Sequence, residues 1–185
     1  MKFTLSWLKQ HLDTNADTGT ILKTLTNIGL EVENSYNPAE SLTDFIVAKI
    51  ISTRSHPDAD RLQLCLVDTG TEEIEIVCGA RNAIENLTTI YAPIGSTIPE
   101  SGLKLKKVKI RGVESLGMLC SKKELGLGND SEGITELPNE MKAGTPIAQA
   151  LDINDTHIEI AITPNRPDCL GVYGIARDLA AAGLG

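Results

Sequence analysis

The sequence predicts an α+β chain in which a block of short strands is set between two flanks that mix helix and strand. Three observations carry this. Leu62, Leu64 and Leu66 alternate with polar residues, and so do Ile74 and Ile76, with Gly70, Gly79, Gly95, Gly102, Gly112 and Gly117 punctuating the stretch. Ile21, Leu22, Leu25 and Ile28, and later Val172, Ile175, Ala176 and Leu179, recur at helical spacing. Asn37-Pro38 breaks the first flank, and the pattern changes again from Leu151.

The first flank reads as two short helices and a strand. Ser6 is placed to cap a turn carrying Trp7, Leu8 and Leu12, and Asp17 or Thr18 to cap the second helix. Gly29 stops that helix, and Leu30 and Val32 open a short strand. In the middle block, Phe45 to Ile51 is an apolar run, and several short strands at this spacing fit a small barrel or sandwich. His56-Pro57-Asp58-Ala59-Asp60 reads as a turn whose aspartates bond backbone amides, not as a catalytic or metal cluster. In the last flank Ile158, Ile160 and Ile162 share one strand face. Pro164-Asn165-Arg166-Pro167-Asp168 is a stiff turn with Arg166 as a hydrogen-bond hub, and Asp168 caps the final helix. Nothing after Gly183 closes a fold, so the sequence reads as part of something longer.

The chain is acidic, with 17 Lys and Arg against 25 Asp and Glu and a net charge of -8. Yet Lys104, Lys106, Lys107, Lys109 and Arg111 fall within eight residues that contain no acid. An acidic protein that gathers its cations in this way suits a polyanionic partner. Leu103 and Leu105 alternate with lysines in one sense, Val108 and Ile110 in the other. A one-residue bulge at Lys106-Lys107 in a single strand reconciles the two and turns all five cations outward. Arg61 stands beside Asp60 and pairs with an acid or reaches a phosphate. Aromatic content of 3% is too small for an extended base-stacking platform.

Cys65, Cys78, Cys120 and Cys169 form no C-x-x-C pair, which argues against zinc and for free thiols in a reducing, cytoplasmic setting. His11 and His157 lack partners nearby in sequence. No signal peptide or membrane-spanning run is apparent. No Gly-rich phosphate loop, metal cluster or nucleophile–base pair is present, so no catalytic residue, metal ligand or cofactor is expected in this stretch.

The residues also carry a resemblance. H-P-D-A-D-R-L (56–62), I-V-C-G-A-R-N (76–82) and K-I-R-G-V-E-S-L-G-M-L-C-S (109–121) resemble the tRNA-binding oligonucleotide-binding fold related to endothelial monocyte-activating polypeptide. The flanks M-K-F-T-L-S-W-L-K-Q-H-L (1–12), I-G-L-E-V-E (28–33) and I-T-P-N-R-P-D-C-L-G-V-Y-G-I-A-R-D-L (162–179) are similar to bacterial phenylalanine–tRNA ligase β subunits. The resemblance implies a five-stranded OB-type β-barrel, residues 40–150, inserted into a small α/β domain made of 1–39 and 151–185. It implies that the Leu30–Val32 and Ile158–Ile162 strands share a sheet. It adds Asn82 and Ser115 to the five cations and Arg61 as nucleic-acid-binding candidates. It also implies a non-catalytic region of a larger α2β2 enzyme that attaches phenylalanine to tRNA(Phe). ATP and magnesium then serve the parent, and tRNA and the α subunit are partners. Two other readings stay open: a free-standing tRNA-binding cofactor, and a protein-interaction module of the synthetase that hardly touches RNA.

Overall fold

A computed structural model describes all 185 residues, Met1–Gly185, and divides into two compact units. One comprises Met1–Pro38 and Ile153–Gly185, the other Ala39–Asp152.

In the first unit, β1 (Lys2–Thr4), β2 (Val32–Tyr36) and β10 (His157–Ile160) form one antiparallel sheet in the order β1-β10-β2. The second-flank strand thus lies between two first-flank strands, with Phe3 opposite Ile158 and Asn34 opposite Glu159. The sharing of a sheet by the two flanks is as expected; β1, only three residues long, was not foreseen. Helix α1 (Leu5–Lys9) is capped by Thr4, whose side chain accepts from the Trp7 amide. Ser6, the expected cap, sits inside the helix and donates to Asp155. Helix α2 (Thr18–Asn27) is capped by Asp17, which accepts from the Thr20 amide at 2.9 Å, and that bond lowers the Asp17 pKa. Gly29 follows with φ +88°. Helix α4 (Val172–Ala181) buries Val172, Ile175, Ala176 and Leu179 against Leu8, Ile21, Leu25 and Ile158. Its N-cap is Gly171, with no side-chain bond; Asp168, the expected cap, is drawn instead to two arginines.

The second unit is built on β3 (Ile46–His56), β4 (Ala59–Asp68), β5 (Glu73–Cys78), β6 (Thr88–Ala92) and β9 (Met118–Leu119). They form one antiparallel sheet in the order β5-β4-β3-β6-β9. Its core face carries Ala48, Ile50, Cys65, Val67, Ile76, Tyr91 and Leu119. The strand count matches the expected barrel, but no ladder closes β5 onto β9. A separate hairpin, β7 (Val108–Ile110) and β8 (Val113–Ser115), lies against β5. There the Leu116 amide donates to the Glu75 carbonyl, and the Val77 amide to the Ser115 hydroxyl. These bonds take up β5 edge groups that a closing strand needs. A short helix, α3 (Ile147–Ala150), follows near the end of the unit. No helix of either unit is long and apolar enough to cross a membrane.

Candidate nucleic-acid interface

The five clustered cations do not lie on one bulged strand. Lys104 makes an isolated bridge to Thr97, and the Leu105 amide and carbonyl bond Ser96 and Gly95. Lys106 and Lys107 cross in irregular chain, and only Lys109 sits within β7. Arg111 and Gly112, at φ +48° and +87°, form the two-residue turn between Ile110 and Val113. Both central residues of such a turn need positive φ to match the strand twist, and Arg111 accepts that conformation without being glycine. The alternation that suggested a bulge has another cause: Leu103 and Val108 are exposed among the lysines, while only Leu105 and Ile110 turn partly inward.

The outcome for the charges is nonetheless the one anticipated. Lys104, Lys106, Lys107, Lys109 and Arg111 are all exposed. One carries a local counter-charge: Lys107 pairs with Glu114 at 3.0 Å. The hairpin that carries Lys109 and Arg111 is anchored through its Ile110 carbonyl. His56 is buried; its Nδ1 accepts from the Asp58 amide at 3.1 Å, so Nε2 carries the proton and donates to the Ile110 carbonyl at 3.1 Å. The turn after β3 is therefore closed by the histidine ring, not by the aspartates.

Asn82 and Ser115 are framework residues. The Asn82 amide group donates to the Ile134 carbonyl at 2.9 Å and to Glu136 at 3.0 Å, and its oxygen accepts from the Ile134 amide at 3.0 Å. It fastens the 133–136 segment to the turn after β5, and Gly133 at φ +105° leaves no room there for a Cβ. Ser115 is 2% exposed; its hydroxyl accepts from Val77 and donates to the Gly117 carbonyl. Gly117, at φ +129°, packs directly on the Tyr91 ring. Arg61 is exposed and has no acidic side chain at ion-pair distance, although Asp60 precedes it. Arg81, considered in the sequence but not counted among its binding candidates, lines a depression of about 470 Å³ together with Asp60, Arg61, Gln63, Gly79 and Ala80. The signal available was an arginine close to a strand end on each of two neighbouring strands, Arg61 near the start of β4 and Arg81 just past β5.

In the first unit, four charged side chains pair with one another. Arg166 donates to Asp168, Asp178 and the Cys169 sulfur, and Arg177 reaches both aspartates. Arg166 holds the Asp168 carboxyl well below the usual range, and Arg177 lowers that of Asp178. The four cysteines are free and buried. The neighbouring Cys65 lowers the Cys78 thiol below its ordinary value, while burial pushes Cys120 up.

The family model described as "Putative tRNA binding domain" matches residues 45–146. The chain belongs to this tRNA-binding-domain family. Its curated relatives extend the match through both flanks. The phenylalanine–tRNA ligase beta subunit of Rhodospirillum rubrum is 55% identical over 185 residues, covering all of this chain and 23% of that protein. The proteins of the same name from Paramagnetospirillum magneticum and Zymomonas mobilis are 53% and 50% identical, again over the whole chain and 23% and 24% of their own lengths. The chain thus spans about a quarter of the length of these relatives.

Proposed function

We propose that this chain is the N-terminal region of a phenylalanine–tRNA ligase β subunit, and that it contributes tRNA contact without chemistry of its own. The carrying observation is identity of 50% or more over the full chain to β subunits, both flanks included. The flanks favour this reading over a free-standing tRNA-binding cofactor. In it, residues 40–150 act as an OB-type domain inserted into a small α/β domain made of 1–39 and 151–185. The parent, with its α subunit, attaches phenylalanine to tRNA(Phe) using ATP and magnesium.

The residues of this stretch do not suit a divalent ion. Asp168, Cys169 and Asp178 bring three ligand atoms within 4.8 Å of one another, but Arg166 and Arg177 already engage both carboxylates. That cluster reads as an ion-pair network. ATP and magnesium are therefore assigned to the rest of the parent, and the purified chain is expected to show no pyrophosphate exchange above background.

On this reading Lys104, Lys106, Lys107, Lys109, Arg111 and Arg61 meet the phosphate backbone, while Asn82 and Ser115 hold the scaffold under them. Phosphate contacts supply affinity with little sequence information. The test is a tRNA titration against salt for the chain and for the Lys106→Ala/Lys107→Ala/Lys109→Ala variant. The slope of log K against log salt should fall by roughly 0.7–0.9 per lost contact. Unchanged affinity and slope in a folded triple variant would make the ridge a solvated face, and the second unit a protein-interaction module.

A further inference from the structure

We propose that the depression between the start of β4 and the turn after β5 is a seat for one ribose-phosphate unit of RNA. Arg61 and Arg81 hold the phosphate there, and Asp60 accepts a hydrogen bond from the 2′-hydroxyl. The inference deepens the tRNA-binding reading above and rests on it.

The first observation concerns charge. Arg61 and Arg81 line the same depression, and neither has a carboxylate at ion-pair distance. Every other arginine near an acid is neutralised: Arg54 by Glu75 at 2.6 Å, Arg166 and Arg177 by Asp168 and Asp178. Guanidinium groups present a planar fork of donors that matches a phosphate, and two converging on one cavity form a clamp.

The second concerns room. Gly79 forms part of the lining and carries no side chain, and the space of about 470 Å³ falls in the range of sites that take a nucleotide-sized ligand. The lining contains no aromatic ring, so a base is not stacked here, and the site takes the sugar-phosphate instead.

The third is the acid. Asp60 lines the depression beside two cations yet pairs with neither. For a bare phosphate it is a repulsive neighbour. It becomes complementary only when the ligand carries a hydroxyl donor next to its phosphate. In a nucleic acid that donor is the ribose 2′-hydroxyl, adjacent to the 3′-phosphate and missing from DNA. Gln63, partly buried and opposite Cys78 in the ladder, offers both a donor and an acceptor at the same place.

The experiment titrates the 185-residue chain with tRNA, with a short single-stranded RNA and with DNA of the same sequence, at several salt concentrations. The wild type should prefer RNA to DNA. Arg61→Ala/Arg81→Ala should lower the salt slope for the short RNA by roughly 0.7, one single-strand phosphate. Asp60→Ala should bring the RNA-to-DNA affinity ratio towards one without weakening DNA binding, because it removes the acceptor and a repulsive charge together. The ridge triple variant should weaken both nucleic acids and leave the ratio alone. Urea midpoints equal to wild type establish that the variants are folded. A wild type that binds neither tRNA nor RNA overturns the tRNA reading and the seat with it. Binding to tRNA with an unchanged slope in the arginine pair, or an unchanged ratio in Asp60→Ala, overturns the seat alone.

Discussion

In the unit formed by residues 1–38 and 153–185, Arg166 and Arg177 each reach both Asp168 and Asp178. In the unit formed by 39–152, Arg61, Arg81 and Arg111 reach no acid, and only Arg54 has a partner. Proximity in sequence does not explain the difference, since Asp60 directly precedes Arg61 whereas Asp178 is twelve residues from Arg166. Backbone geometry does. Pro167–Leu170 is a 3₁₀ turn packed against the first turn of α4, which brings residues 166, 168, 177 and 178 to one side. At the start of β4, by contrast, Asp60 and Arg61 border one depression without forming an ion pair. The arginines of the first unit are used for cohesion, while Arg61, Arg81 and Arg111 of the second are held open.

The largest way to break this contrast is Gly174→Ala. A Cβ at Gly174 runs into the backbone carbonyl of Asp168, and neither the helix nor the turn can yield. Overpacking of this kind costs about 1–3 kcal/mol or more. The variant should have a clearly lower urea midpoint, with amide exchange accelerated in residues 153–185 and unchanged in β3 and β4.

A second test compares like substitutions in the two units. Arg166→Gln should lower the urea midpoint measurably, because it leaves Asp178 with one guanidinium and Cys169 with none. Arg61→Gln should stay within about 0.5 kcal/mol of wild type. pH sharpens the comparison. Asp168 and Asp178 are depressed in the folded protein, first by Arg166 and by Arg177 respectively. Their contribution is therefore fully present above the unfolded carboxylate value of about 3.9 and is lost as pH falls through the folded values. The gap between wild type and Arg166→Gln should hold steady from neutral pH down to about 4 and narrow below it. A gap that persists unchanged in acid would mean Arg166 acts by packing.

What could be read from the sequence was whatever one segment decides for itself. Helix α2 announced itself through Asp17, its apolar stripe and Gly29; β10 through alternating isoleucines; the exposure of the five cations through their number in an acidic chain. The rest depended on partners far away in sequence. β1 exists because Phe3 pairs with Ile158. The run from Leu103 to Arg111 breaks into an arm and a hairpin because Ser96 and Glu114 pair with different parts of it, a division its own alternation could not reveal. Asn82 and Ser115 resembled binding positions in sequence, and their true partners, Ile134 and Val77, lie 52 and 38 residues away. Arg61 could be assigned only once the structure placed it on a common depression with Arg81 and unpaired with Asp60.

The smallest expected effect lies inside the open set itself. Lys107 is the one ridge cation with a counter-charge, and Glu114 is also the register partner of Lys109. Both groups of the ion pair are largely exposed, at 58% and 43%, so the pair adds little to stability, about 0.2–1 kcal/mol at most before further screening by salt. Its effect on a polyanion is of the same size and opposite sign, since Glu114 faces any phosphate that Lys107 and Lys109 hold. Glu114→Gln should therefore leave the urea midpoint almost unmoved and tighten tRNA binding by about 1.4- to 5-fold at low salt, the affinity equivalent of that range. The gain should shrink as salt rises, because the Debye length falls to about 8 Å at physiological ionic strength. No change at any salt, in a variant whose parent binds tRNA, would place the bound phosphates away from β7 and β8 and move the interface toward Arg61 and Arg81.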